Sequence, residues 1–165
     1  MNTTEAIRYL EKQIKNPTMG LPKDIFLFVS RITPLVNVDL LIKNERGHVL
    51  LSWSDDRYVW RGWHIPGGIV RSHERLEERI KRVSLMEIGV MVQFNPIPVE
   101  VNQVIYKKKT RGHFISFLYE CFLSEKIVIH NHGLRQTDNG YLRWHTVWPM
   151  NIIGVHKKIY KKYFV

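Results

Sequence analysis

The segment from Trp63 to Val90 constrains the fold more than any other part of the chain. It opens on Pro66-Gly67-Gly68, Ser72 can cap a helix running to about Ile88, and Gly89 supplies a stop. On a helix turning about 100° per residue, Leu76, Ile80 and Val83 form one apolar stripe, and Glu87 falls on that same stripe. A carboxylate there is costly to bury unless a cation or good donors meet it. Glu74, Glu78 and Arg82 occupy the opposite side, where Glu78 and Arg82 make an ordinary i,i+4 surface pair. Glu87 is therefore the unusual residue: it pairs either with a buried arginine or with a cation from outside the chain. The Pro-Gly-Gly turn leaves its backbone carbonyls and amides unshielded, which suits a phosphate or its metal. A Gly-Gly pair alone is weak support for that.

The rest of the chain surrounds this helix with strand-like segments. Residues 3–15 read as a short amphipathic helix through Ala6, Ile7, Leu10 and Ile14, before Pro17, Gly20 and Pro22 break it. Residues 24–29 and 35–42 are apolar and β-branched, hence strand-like or mixed. A turn at Asn44-Glu45-Arg46-Gly47 makes 35–53 a hairpin. Strand signals follow at 99–106 and 113–123, more weakly at 126–130, and again at 141–146 after a polar loop over 130–140. A last helix spans about 150–163. This order implies an α/β (α+β layered) fold, with a helical extension over 1–20 and one domain over 21–165.

Composition narrows the function classes. With 165 residues and a hydrophobic fraction of 44%, the chain can bury a real core. Charges interrupt every apolar stretch short of the ~18 residues of a membrane span, and the N-terminus lacks the apolar core of a signal peptide. A cytoplasmic protein is expected. Cys121 is the only cysteine, which excludes an intrachain disulfide and a cysteine zinc cage; its apolar neighbours suggest a buried strand thiol. The net charge of +10 favours anionic ligands. Lys107–Lys109 reads as a hairpin tip, and Lys157, Lys158, Lys161 and Lys162 as the solvated face of the last helix. No recognised nucleic-acid-binding motif accompanies them.

Gly68-x5-Glu74-x7-Arg82-x4-Glu87-x-Gly89-Val90 resembles the box of the Nudix hydrolases at the right spacing. Three box positions depart: Val83 and Met86 stand where glutamates are usual, and Ser84 where a bulky apolar residue is usual. Those glutamates usually gather two or three metals, so their loss would cripple ordinary attack at phosphorus. The reduced box, Arg82-Val83-Ser84-Leu85-Met86-Glu87-Ile88-Gly89, is similar to that of the GDP-mannose mannosyl hydrolase branch. Thr33-Pro34-Leu35-Val36-Asn37-Val38-Asp39, Asn44-x-Arg46-Gly47 and Leu50-Leu51 extend the likeness upstream. It covers roughly 20–90 and resumes around Gln136 and Tyr141-Leu142-Arg143-Trp144.

The resemblance implies a Nudix fold, a mixed β-sheet sandwiched between helices. It also implies a Mg²⁺-dependent hydrolase of a nucleoside diphosphate sugar of the GDP-mannose or GDP-glucose kind, releasing sugar and GDP by substitution at C1. By the same resemblance Gly67 offers a carbonyl, Glu87 a carboxylate and Gln136 an amide oxygen to Mg²⁺, the hard oxygen ligands this ion takes. Asp39 matches a sugar-site aspartate, and Gly68 belongs to the diphosphate-binding turn. Leu21 and Phe26 match a nucleotide-contacting segment, although Phe26 serves equally well as core packing. A homodimer is implied too. Two positions differ. Ser54 stands where the branch has a diphosphate-binding arginine, with Arg57 three residues on. Thr137 stands where it has a general-base histidine, leaving His130, His132 and Asp138 of the same loop to activate water; His64 and His113 are weaker candidates. Two alternatives remain open: a pyrophosphohydrolase of another nucleotide, and a catalytically weakened nucleotide-binding module.

Overall fold

The computed structural model describes residues 2–55, 61–106 and 111–164. Arg57 and the Lys107–Lys109 segment lie outside the described residues. The helices are α1 (Thr3–Gln13), α2 (Lys23–Ile32), α3 (Leu76–Val83) and α4 (Gly154–Tyr160). The strands are β1 (Leu35–Lys43), β2 (Val49–Asp55), β3 (Arg61–His64), β4 (Gly67–Ile69), β5 (Gln93–Phe94), β6 (Glu100–Ile105), β7 (His113–Phe122) and β8 (Leu142–His145).

The mixed sheet runs β3-β2-β1-β7-β5, with β4 also on β1, β6 also on β7 and β8 also on β2. Parallel pairing of β1 with β7, from Leu35 opposite Phe114 to Lys43 opposite Phe122, forms its spine. The β1–β2 hairpin is paired only near its turn, at Lys43 opposite Val49. Beyond that point the strands part, and β4 takes the edge of β1 that β2 leaves, on the side away from β7, with Asp39 opposite Gly67.

Period-two alternation sends β1 residues to two separate cores. Val38, Leu40 and Ile42 pack with Ile80, Val83 and Ile88 on the α3 face. Leu41 packs with Leu51, Trp63, Leu118 and Tyr160 on the α4 face. The sheet is therefore sandwiched between helices, as expected for this α+β layered fold.

Several local expectations change. Residues 24–29 lie in helix α2, not a strand: Pro22 precedes the first turn, Asp24 favours it, and Ser30 donates back to the Phe26 carbonyl at 2.6 Å. A short apolar run is ambiguous between the two periods, and here Pro22 and Asp24 at its start favour the helix. Residues 126–130 form no strand. Ser72 lies in a turn rather than at a helix cap; α3 starts at Leu76, with Glu78 accepting from the Arg75 amide at 3.1 Å. Gly67–Ile69 is a short strand rather than a turn. Neither Gly67 nor Gly68 has a positive φ; both are needed for close approach. A Cβ on Gly67 would meet Asp39 Oδ1, and one on Gly68 would lie 2.7 Å from Val83 Cγ2.

Candidate active site

The segment after α3 places Glu87. Residues Ser84–Ile88 continue the helix as one wider π turn, which Gly89 ends in the left-handed conformation at φ 81°. Ser84 is fully buried; its hydroxyl donates to the Val90 carbonyl at 2.5 Å and accepts from the Val92 amide at 2.8 Å. The serine in place of a bulky apolar residue thus ties the end of the helix to the loop that follows it.

The glutamates of this segment divide between two tasks. Glu74 is not a surface residue: its side chain is 2% exposed and bonds Arg79 Nη2 at 2.6 Å and the Arg71 amide at 2.8 Å, with Arg82 Nε at 3.4 Å. The buried arginine that might have satisfied Glu87 is Arg79, and it is committed to Glu74. Helical periodicity missed this because Glu74 precedes the helix.

Glu87 lines a cavity of about 640 Å³. The same walls hold Leu21, Phe26, Asp39, Gly67 and Gly68, so the structure brings six predicted site residues together. The Gly67 amide donates to the Glu87 carboxylate, but burial outweighs that bond and Asp39 adds repulsion, raising the Glu87 pKa to about 8. Among the described residues Glu87 has no ion-pair partner.

Asp39 is enclosed more completely. Ser116 Oγ donates to it at 2.5 Å, Asn37 Nδ2 at 2.6 Å, and the Tyr160 hydroxyl donates as well. Burial raises its pKa against these bonds. Asp39 thus also fastens α4 to the sheet.

A second cavity, of about 650 Å³, shares Ser54, His64, Met86 and Glu87 with the first and adds His130 and His132. Together they form a two-lobed groove with Glu87 at the waist. The His130 and His132 rings are 6.0 Å apart. Gln136 is exposed and lines neither lobe. Asp138 forms an ion pair with Arg135 at 3.1 Å, which lowers its pKa, and it too lies off both walls. His113 lies 3.5 Å from Gln103 on the β6–β7 pair, outside both lobes.

His64 and Arg71 carry more weight here than their sequence context suggests. His64 lines both lobes; its Nδ1 is buried with no hydrogen-bond partner among the described residues, and burial lowers its pKa to about 4. Arg71 follows Gly67 and Ile69 at period two on the cavity side, a signal that only the strand assignment of β4 reveals.

Among the described residues no three His, Cys, Asp or Glu side chains gather as a metal site. Two of the three positions where the box departs, Val83 and Met86, present apolar side chains to the cavity. What remains is Glu87, a desolvated carboxylate beside the Gly67 backbone with no side-chain donor among the described residues, whereas Asp39 is already met by Ser116, Asn37 and Tyr160. That fits Mg²⁺, which takes one or two carboxylates and completes its shell with waters and phosphate oxygens.

A family model described as the NUDIX domain matches residues 33–163. The low-salt glycan biosynthesis protein Agl8 of Haloferax volcanii is 38% identical over 80 residues, 48% of this chain and 51% of its own length. The match thus spans about half of that relative. The nucleoside triphosphatase NudI of Escherichia coli is 27% identical over 96 residues, 53% of this chain and 68% of its own. The structure of a MutT protein from Methanosarcina mazei Go1 superposes with a TM-score of 0.58 at 20% identity, covering 79% of this chain and 94% of that one, a likeness of fold. The chain belongs to the NUDIX domain family.

Proposed function

We propose that the protein is a Mg²⁺-dependent hydrolase of a nucleoside diphosphate sugar, cleaving at the sugar C1 to release sugar and nucleoside diphosphate. The observation that carries this reading is Glu87, a desolvated carboxylate that, unlike Asp39, has no side-chain donor among the described residues, at the waist of a two-lobed groove whose neighbouring positions Val83 and Met86 are apolar. One metal is enough to assist a diphosphate leaving group, whereas attack at phosphorus draws on more carboxylates. The relative named for glycan biosynthesis supports a sugar-linked substrate.

Glu87 and the Gly67 backbone would hold the ion, which would supply charge neutralisation to a departing diphosphate. Phe26 offers a ring to the base, and the glycine strand lets the diphosphate approach the backbone. The lobe containing His130 and His132 receives the sugar and the attacking water. In this reading either histidine, or the orphaned Nδ1 of His64, accepts the water proton. Gln136 and Asp138 join only if the 130–140 loop closes on the substrate.

Product analysis tests this. Purified protein incubated with GDP-mannose, GDP-glucose and a nucleotide panel plus Mg²⁺ releases free sugar and GDP. Sugar phosphate with GMP, or monophosphate from a nucleoside triphosphate as the name NudI suggests, would replace the reading with pyrophosphohydrolysis. Stabilisation by ligand without turnover would make the chain a binding module.

A further inference from the structure

Four cationic side chains line the first lobe: Lys23, Arg71, Arg79 and Arg111. Three of them are engaged, Lys23 among them. Arg79 is bound to Glu74 through Nη2 at 2.6 Å and Nε at 2.8 Å. Arg111 lies 5.0 Å over the Phe26 ring. Arg71 differs: its half-buried guanidinium makes no hydrogen bond or ion pair among the described residues. The nearest carboxylate, Glu74, is already shared by Arg79 and Arg82. Burial and then the like charge of Arg79 lower the Arg71 pKa, with the charge of Glu74 opposing them.

The side chain is held in place nonetheless. Gly20, at φ 113°, packs so closely that a Cβ there would lie 3.1 Å from Arg71 Cζ and Nη1. Val70 turns into the α3-side core while Ile69 and Arg71 turn to the cavity. A half-buried guanidinium packed against Gly20, with no hydrogen bond or ion pair of its own among the described residues, is arranged for an anion that arrives with the ligand.

We propose that Arg71 is the anion-binding residue of the groove, recognising the diphosphate of the substrate with its planar fork. This rests on reading the groove as a nucleoside diphosphate sugar site and names the residue that holds the charged part. Arg71 lies on the β4 side with Gly67, so the diphosphate spans from the guanidinium to the waist at Glu87.

Calorimetric titration with GDP, guanosine and inorganic pyrophosphate, each with Mg²⁺, tests the assignment. Losing a charge-assisted bidentate contact should weaken GDP and pyrophosphate binding about 10- to 100-fold in Arg71→Gln, with guanosine binding unchanged and the melting temperature preserved. Arg71→Lys, which keeps the charge without the fork, should fall between the two, and it replaces the glutamine variant should that fail to fold. Wild-type affinity for GDP in either folded variant, equal loss for guanosine, or no binding of GDP and pyrophosphate by the wild type overturns the proposal. Tight Arg71-dependent binding of GDP without hydrolysis would retain Arg71 and reject the hydrolase reading. Hydrolysis with GDP binding indifferent to Arg71 would do the reverse.

Discussion

Among single residues, Glu87 is the one whose chemistry the sequence marks and the structure sharpens. A carboxylate on an apolar stripe already signals an unpaid desolvation; the fold adds that the candidate arginine is taken by Glu74. In the metal-free protein the Glu87 pKa of about 8 exceeds its ordinary value of 4.5. The native state then binds the extra proton between pH 4.5 and 8, so this group's stability contribution falls as pH rises through that window. Glu87→Gln should remove that loss, raising the melting temperature at pH 8 relative to wild type, while eliminating Mg²⁺-dependent turnover. Retained turnover would end the metal assignment, and an unchanged pH trend would end the desolvation argument. Cys121 is a simpler case: burial lifts its thiol pKa to about 12. A maleimide should label it only after unfolding, as mass spectrometry of native and denatured protein can show.

Elements were legible where their periodicity was long and obscured where it was short. Strands β1, β6 and β7 follow from their apolar, β-branched content, and the stripe of α3 from helical spacing. Helix α2 did not, because five apolar residues in a row fit either period. Strand β4 was hidden by its glycines, which read locally as a turn although they are there to let β4 press against Asp39 and Val83. The π turn of Ser84–Ile88 could not be read at all, since it depends on one hydroxyl bonding Val90 and Val92 at once. Ser84→Ala leaves both backbone groups without that partner, costing about 1–3 kcal/mol. It should also lower turnover more than this loss of folded fraction explains, because Glu87 rides on the same turn. Denaturant melts and assays at saturating substrate separate the two effects; full activity in a destabilised variant would show that the turn does not aim Glu87.

In the whole molecule, the groove lies where the β1–β2 hairpin parts and β4 enters, between the α3-side and α4-side cores. Six candidate site residues meet there because β1, β4, α2 and the end of α3 converge, although the 130–140 loop residues Gln136 and Asp138 stay outside. The continuous motif marks Gly67, Gly68 and Glu87, and the family resemblance supplies Leu21, Phe26 and Asp39; Gln136 and Asp138 depend on where a loop lies, which spacing does not encode. The α4 side is tied to the site by His156, 8% exposed, whose Nδ1 accepts from the Ile65 amide at 3.0 Å. That bond requires neutral Nδ1, and burial lowers the His156 pKa from 6.5 to about 3. The unfolded chain therefore binds a proton that the native chain refuses between pH 6.5 and about 3, so stability falls as pH drops through that window. One proton corresponds to a slope of about 1.4 kcal/mol per pH unit. His156→Gln should be less stable than wild type at pH 7 but lose less stability on acidification, reducing the slope near pH 5 by about one proton's worth. Urea denaturation from pH 4 to 7 measures both. Parallel curves for the two proteins would mean that His156 does not set the acid limit, leaving His64, buried at the waist of the groove, as the next histidine to substitute.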